Sequence, residues 1–213
     1  MIGPTRALLF LAALAPALAA QANRPFLEIG AGTLARSDPF TVTLALRASG
    51  GVTLGGRNAA SIEYTRQSAP RGYDSNNLGK YARDFLGIGW QHAFQDVLSD
   101  PEPKRMQYLV RIVGGALFRG TFPEAVDDQD LRNAPFAGFG LLLRYPISSR
   151  VIAVGSIEDI LGFLPAETVR SYCSDLSGQT LCYPQGGPDY YTIDLPDKVQ
   201  HNPGFMLTMQ FRL

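Results

Sequence analysis

The sequence predicts an all-β chain: an eight-stranded antiparallel up-and-down barrel that spans a membrane, preceded by a cleavable signal peptide. Three observations predict it. In residues 205–213, Phe205, Leu207, Met209, Phe211 and Leu213 alternate strictly with Met206, Thr208, Gln210 and Arg212. Successive strand side chains point to opposite faces, so this stretch has one apolar face and one mixed face. Seven earlier stretches alternate in the same way. Opposite their bulky apolar residues stand glycines and charges, which suit a narrow lumen better than a solvated face.

The leader comes first. Arg6 precedes an apolar run over 7–15, and the A-x-A patterns of Ala17 with Ala19 and Ala20 with Ala22 place cleavage after Ala19 or Ala22. The run is broken by Pro16 and falls short of the roughly 20 apolar residues of a spanning helix. The expected division is a signal peptide over 1–22 and a barrel domain over 23–213.

About 190 residues then suffice for one barrel. Lys and Arg balance Asp and Glu at 19 each. With no basic excess, nucleic acid is not an expected partner. Mean hydropathy near zero excludes a helical membrane bundle, whereas a barrel turns only alternate residues to lipid.

The first strand is expected over 26–35, with Leu27, Ile29, Ala31 and Thr33 opposite Glu28, Gly30 and Gly32. Residues 37–39 turn the chain. The second strand, 40–49, sets Val42, Leu44 and Leu46 against Thr41, Thr43 and Arg47. Gly50, Gly51, Gly55 and Gly56 are expected to punctuate the next connection. The third, 59–67, sets Ile62 and Tyr64 against Ser61, Glu63 and Thr65. After a Pro- and Gly-rich loop over 68–78, the fourth, 81–92, sets Leu86, Ile88 and Trp90 against Phe85, Gly87, Gly89 and Gln91.

A turn over 95–104 leads to the fifth strand, 106–119. There Tyr108, Val110, Ile112, Ala116 and Phe118 oppose Gln107, Arg111, Gly115 and Arg119. An acidic loop, 122–133, precedes the sixth, 136–145, with Phe139, Leu141, Leu143 and Tyr145 against Gly138, Gly140 and Arg144. Residues 146–149 form a tight turn. In the seventh, 151–161, Ala153 and Ile157 suit lipid, and Ser156 and Glu158 suit the lumen. A long loop over 165–196 leads to the eighth, 200–213. Eight strands satisfy the even count of single-chain barrels, and the spans approach the roughly 9–11 residues that cross a membrane.

A soluble sandwich also alternates. The membrane reading is favoured because Arg47, Glu63, Arg111, Arg144, Glu158 and Arg212 all share the glycine-bearing face. Inside a narrow barrel such charges must pair. Tyr64, Trp90, Tyr108, Phe118, Tyr145 and Phe211 lie near strand ends on the apolar face, as an aromatic girdle would.

Residues 205–213 resemble the C-terminal signature of bacterial outer-membrane β-barrels, with Phe205, Leu207, Met209, Phe211 and Leu213 as the assembly signal. Leu213 stands where that family usually has an aromatic. The resemblance implies an outer-membrane location in a Gram-negative-type bacterium. It also implies outer-membrane lipids, lipopolysaccharide and the barrel assembly machinery as partners. The loops after the third, fifth and seventh strands would be external and the 146–149 turn periplasmic.

The expected function is structural, or a loop-mediated binding role at the cell surface, in a monomer whose lumen is filled by side chains. Two alternatives are kept. One is a narrow transport pore. The other is a lipopolysaccharide-modifying enzyme, since the resemblance extends to small barrels that use a histidine with a serine and an acidic residue. Only His92 and His201 are available, and the strand map sets both near the periplasmic side. No catalytic residue is assigned.

Cys173 and Cys182, the only cysteines, are expected to form one disulfide in an exported chain. Their spacing is not CxxC and no histidine is near, so no metal site or cofactor is expected. Glu124, Asp127, Asp128 and Asp130 lack an EF-hand pattern and read as a solvated loop. Tyr172, Tyr183, Tyr190 and Tyr191, around the cysteines, are the candidate loop binding residues, because tyrosines bury area at low entropic cost.

Overall fold

The computed structural model describes residues 24–37, 40–68, 82–95, 98, 106–119, 133–172, 174–176, 179–181, 190–195 and 197–213. Its strands are β1 (Arg24–Ser37), β2 (Phe40–Leu54), β3 (Asn58–Gln67), β4 (Arg83–Ala93), β5 (Gln107–Arg119), β6 (Ala134–Pro146) and β7 (Val151–Leu164). They continue with β8 (Glu167–Tyr172), β9 (Ser174–Leu176), β10 (Gln179–Leu181), β11 (Tyr190–Leu195) and β12 (Lys198–Arg212). β1 to β7 pair in sequence, and β12 closes the circle between β7 and β1, giving an eight-stranded antiparallel barrel. Closure pairs Leu27 with Phe211 and Thr33 with Phe205. It leaves the wall no unpaired strand edge, which hydrocarbon would not tolerate.

The side chains follow the period of two. β4 reads buried and less buried in strict alternation, as do β3 and most of β6. The even positions of β7 are buried, including Ser156 and Glu158, while Ile157 faces out. The outward set is apolar: Ile29, Leu44, Ile88, Ile112, Phe139, Leu141, Ile157 and Leu207 are all exposed. A monomer rarely shows so wide an apolar surface to water. Trp90, Tyr108 and Tyr145 stand on that wall toward one end, with Phe94, and Phe118 and Phe163 toward the other. That is the girdle arrangement of a membrane-spanning barrel.

The two ends differ. One holds the turns 55–57 and 147–150, the connection 94–106, and the outer ends of β1 and β12. The other holds the connections 38–39, 68–82, 120–133 and 165–197. Long connections gather at the external side of such barrels and short ones at the periplasmic side.

Two expectations about connections are corrected. Gly50 and Gly51 do not end the second strand. β2 runs through them to Leu54, and the chain turns at 55–57, where Gly55 adopts φ 75°. Gly51 is needed for space, because an added Cβ would strike the Ala60 carbonyl and the Phe26 ring. The segment 165–196 is not simply a loop. β8 pairs with β11, Glu167 opposite Leu195, in the register that pairs Leu164 with Lys198 in the wall. The β7–β12 hairpin therefore continues past the barrel as a two-stranded ribbon, followed by the short β9–β10 pair. Thr168, Val169, Thr192 and Ile193 are the β-branched residues that favour it.

Candidate functional site

The lumen is filled in layers. Toward the external end, Leu34, Phe85, Leu117, Phe136, Ile160 and Met206 belong to one apolar cluster. Toward the periplasmic end, Phe26, Leu98, Leu109, Leu142, Ile152 and Val154 belong to another. Leu98, the one described residue of 96–105, is 1% exposed, and its N–H donates to the Gly56 carbonyl at 2.8 Å. It helps plug the periplasmic mouth.

Between the clusters lies an ionic layer. Arg47 on β2 donates to Glu158 on β7 through both terminal nitrogens, Nη1 at 3.0 Å to Oε2, and its Nε reaches Thr65 Oγ1 at 3.0 Å. Arg111 on β5 pairs with Glu158 and also with Glu63, where Nε to Oε1 is 3.0 Å. Ser61 Oγ donates to the same Glu63 oxygen at 2.8 Å. Two guanidiniums and two carboxylates thus form one chain across the lumen, all almost wholly buried. Bidentate Arg–carboxylate geometry is the strong form of such a pair, and it offsets the cost of burying the charges. Glu28 adjoins the layer and accepts from Thr208 Oγ1 at 2.6 Å.

Glycine makes the layer possible. A Cβ at Gly89 would collide with the Glu63 carboxylate, and one at Gly140 would lie 2.9 Å from Glu158 Cβ and 3.0 Å from the Ile157 carbonyl. The large ionic side chains occupy the volume that these positions leave open.

The other two predicted lumen residues lie apart from that chain of pairs. Arg144 also faces inward, nearer the periplasmic end, where side-chain amides meet it: Nη1 donates to Gln107 Oε1 at 2.9 Å, and Nη2 donates to Gln210 Oε1. Arg212 is at the periplasmic end of β12, half-buried, with its backbone N–H donating to the Arg150 carbonyl at 2.9 Å. Sequence reasoning did not single out Gln107, Gln210, Thr65 or Ser61 as partners. Their inward parity was legible, but which arginine each would meet was not.

At the external end of the lumen, Arg83 Nη1 donates to Asn202 Oδ1 at 3.1 Å. Of the C-terminal positions, Phe205, Leu207 and Leu213 are exposed, and Met209 and Phe211 are partly so on the same outward face.

The histidines separate. His92 is at the periplasmic end of β4, with Nδ1 2.8 Å from Asn58 Oδ1. His201 is not on that side, contrary to the strand map. β12 descends from the long-loop end, so its fourth residue lies in the external half. His201 faces outward, with Nδ1 2.7 Å from Asp159 Oδ2, and Asp159 Oδ1 accepts from the Asn202 N–H at 3.0 Å. Asp159 is the residue that sequence reasoning passed over. Its odd position on β7 already marked it as outward.

Cys173, Cys182, Tyr183 and the acidic positions Glu124, Asp127, Asp128 and Asp130 lie outside the described residues. Tyr172 and Tyr190 are directly paired in the β8–β11 ladder, and Tyr191 is opposite Ser171. Among the described residues, no cluster of three His, Cys, Asp or Glu side chains is arranged to hold a metal ion.

An apolar outer wall, aromatic girdles and a side-chain-filled interior define a small membrane-spanning barrel. The comparisons agree with this at the level of fold. No protein-family model matches the sequence, and no curated relative does. Neisserial surface protein A, known from a crystal structure, superposes with a TM-score of 0.54 at 10% identity, over 90% of this chain and 98% of that one. A major outer membrane protein from Thermus thermophilus gives a TM-score of 0.43 at 13% identity, over 89% and 99%. The likeness to the Neisserial protein bears on the fold alone, and with the closed eight-stranded wall it gives this chain the fold of a small outer-membrane β-barrel.

Proposed function

We propose that the chain is a plugged outer-membrane barrel that serves the cell surface through its external connections rather than through its lumen. The ionic layer carries this reading. Arg47, Glu158, Arg111 and Glu63 bridge the interior between two apolar clusters, and an eight-stranded barrel is only wide enough for its own side chains. The β8–β11 ribbon supports a binding role, because it extends the wall register into the external region and brings Tyr172 opposite Tyr190. Lipopolysaccharide and the assembly machinery are the proposed partners.

Planar-bilayer recordings on the refolded protein test the plug. The expected record is flat, and discrete conductance steps would establish the narrow pore instead. Deleting residues 167–195 is expected to leave a folded barrel and abolish surface binding.

One observation favours a second reading, a lipid-modifying enzyme. Asp159 orients His201 on the lipid-facing wall, and an acid-oriented imidazole is the general-base half of a hydrolytic site. Fatty-acid release from lipopolysaccharide that His201→Ala abolishes would establish that reading.

A further inference from the structure

The outer wall is not uniformly bulky. Ile88 pairs with Gly114, Gly114 with Ala137, Ala137 with Leu161, and Leu161 with His201. These five outward positions form one straight row across β4, β5, β6, β7 and β12. The parallel row beside it runs from Trp90 through Ile112, Phe139 and Asp159 to Pro203. Gly114 and Ala137 give the first row a low floor. Ile112 and Phe139 make the second a ridge, and the result is an almost wholly apolar groove of about 490 Å³. That volume is in the range of about 300–1,000 Å³ typical of ligand sites.

The groove leads to a polar pair. From Gly114 to His201 is three strand spacings, roughly 14 Å at the usual interstrand distance. His201 and Asp159 stand side by side just beyond the residues that line it, His201 paired with Leu161 and Asp159 with Phe139 in the strand register. Charged groups on a lipid-facing wall are costly and rare, and they mark function by default. This pair is also held in place: the Asn202 N–H fixes Asp159 Oδ1, and Asp159 Oδ2 holds His201 Nδ1. Nε2 is then the ring atom available to a ligand.

We propose that this is a lipid site, in which one acyl chain of a lipopolysaccharide molecule lies along the Gly114–Ala137 floor and a polar group of the same molecule hydrogen-bonds to His201. The groove opens into the hydrocarbon layer, so its occupant is an acyl chain. His201 is in the external half of the barrel, which selects the glycolipid of the outer leaflet over a phospholipid of the inner one. The site rests on the membrane reading above and not on the external connections.

The test is native mass spectrometry of the full chain refolded with purified lipid A or with phosphatidylethanolamine. Heat-modifiability on a cold SDS gel is checked in every sample. Gly114→Leu fills the floor, where an added Cβ meets only the Phe136 carbonyl at 3.7 Å, so the variant is expected to fold. The wild type should retain one lipid A, and Gly114→Leu should cut retention about tenfold. His201→Ala should lower lipid A retention and leave phosphatidylethanolamine unchanged. Equal retention by wild type and Gly114→Leu, or wild-type retention of phosphatidylethanolamine equal to that of lipid A, would overturn the site. A wild type with no heat-modifiable band would instead overturn the membrane reading.

Discussion

The inner and outer faces of this barrel are built from alternate residues of the same eight strands, and they handle charge differently. Inside, Arg47 and Arg111 meet Glu63 and Glu158 in a closed set that spans four strands. Outside, Arg66, Asp84 and Tyr64 interact near the external rim, Tyr64 Oη donating to Asp84 at 2.7 Å and Arg66 lying 3.6 Å from it. Water reaches a rim, so those groups need not be fully compensated by protein. Among the described residues, the Asp159–His201 pair brings charge further down the wall. The contrast shows that inward charges are permitted by ion pairs or, as at Arg144, by hydrogen bonds to side-chain amides, and outward charges by position. A charged group on the wall away from its rim therefore calls for a functional explanation.

The largest expected effect is on the inner face. Arg111→Met leaves Glu63 and part of Glu158 uncompensated in the lumen. It should cost about 3–5 kcal/mol, read from urea unfolding in lipid vesicles. Replacing Arg111 and Glu63 together by Met and Gln should recover much of that loss; if it does not, the pairing is not what holds the layer.

The outer face comes next. Leu141→Arg, near the middle of β6 and 64% exposed, should cost about 2–4 kcal/mol in bilayers. Leu143 also faces outward but lies three residues from the periplasmic end of β6. Leu143→Arg should therefore cost about 1 kcal/mol or less, below the mid-membrane value its outward phase alone would suggest. Equal costs at the two positions would contradict the assigned depth of the wall.

A smaller effect returns to the lumen. Gly89→Ala must displace the Glu63 carboxylate and should cost about 1–3 kcal/mol, in the range of overpacked cores. Gly140→Ser is also expected to be felt, since its added Cβ must move Glu158. The smallest effect belongs to Cys173→Ser with Cys182→Ser. Ser174 and Leu181, their chain neighbours, are paired across β9 and β10 outside the barrel. We expect the disulfide to hold that pair together and the double variant to leave the barrel's heat-modifiable band unchanged. A loss of the compact band would give the cysteines a role in the wall.

All eight barrel strands were legible in the sequence, and so was the phase of seven, because a period of two leaves only two choices per strand. Over 151–161 small and polar residues on both faces blurred the pattern, and the structure set Ser156 and Glu158 inward. The β2 boundary was misread because Gly50 and Gly51 carry the signature of a turn. In the barrel, Gly51 is instead required by close packing against Phe26 and Ala60. The ribbon was hidden by the Pro- and Gly-containing composition of 165–196. The level of His201 was legible but misassigned: it opens the strand that descends from the long external connection over 165–196, so strand direction already placed it in the external half.

By itself, then, the chain determined which residues face in and which face out, since alternation is a local property of extended backbone. Only the tertiary structure decided which of them meet. Arg47 finds Glu158 across the lumen, 111 residues away in the chain, and Asp159 finds His201 across one strand boundary. Those contacts depend on the stagger of each strand against its neighbour and on the closure of β12 onto β1. Both are settled by pairing all eight strands at once.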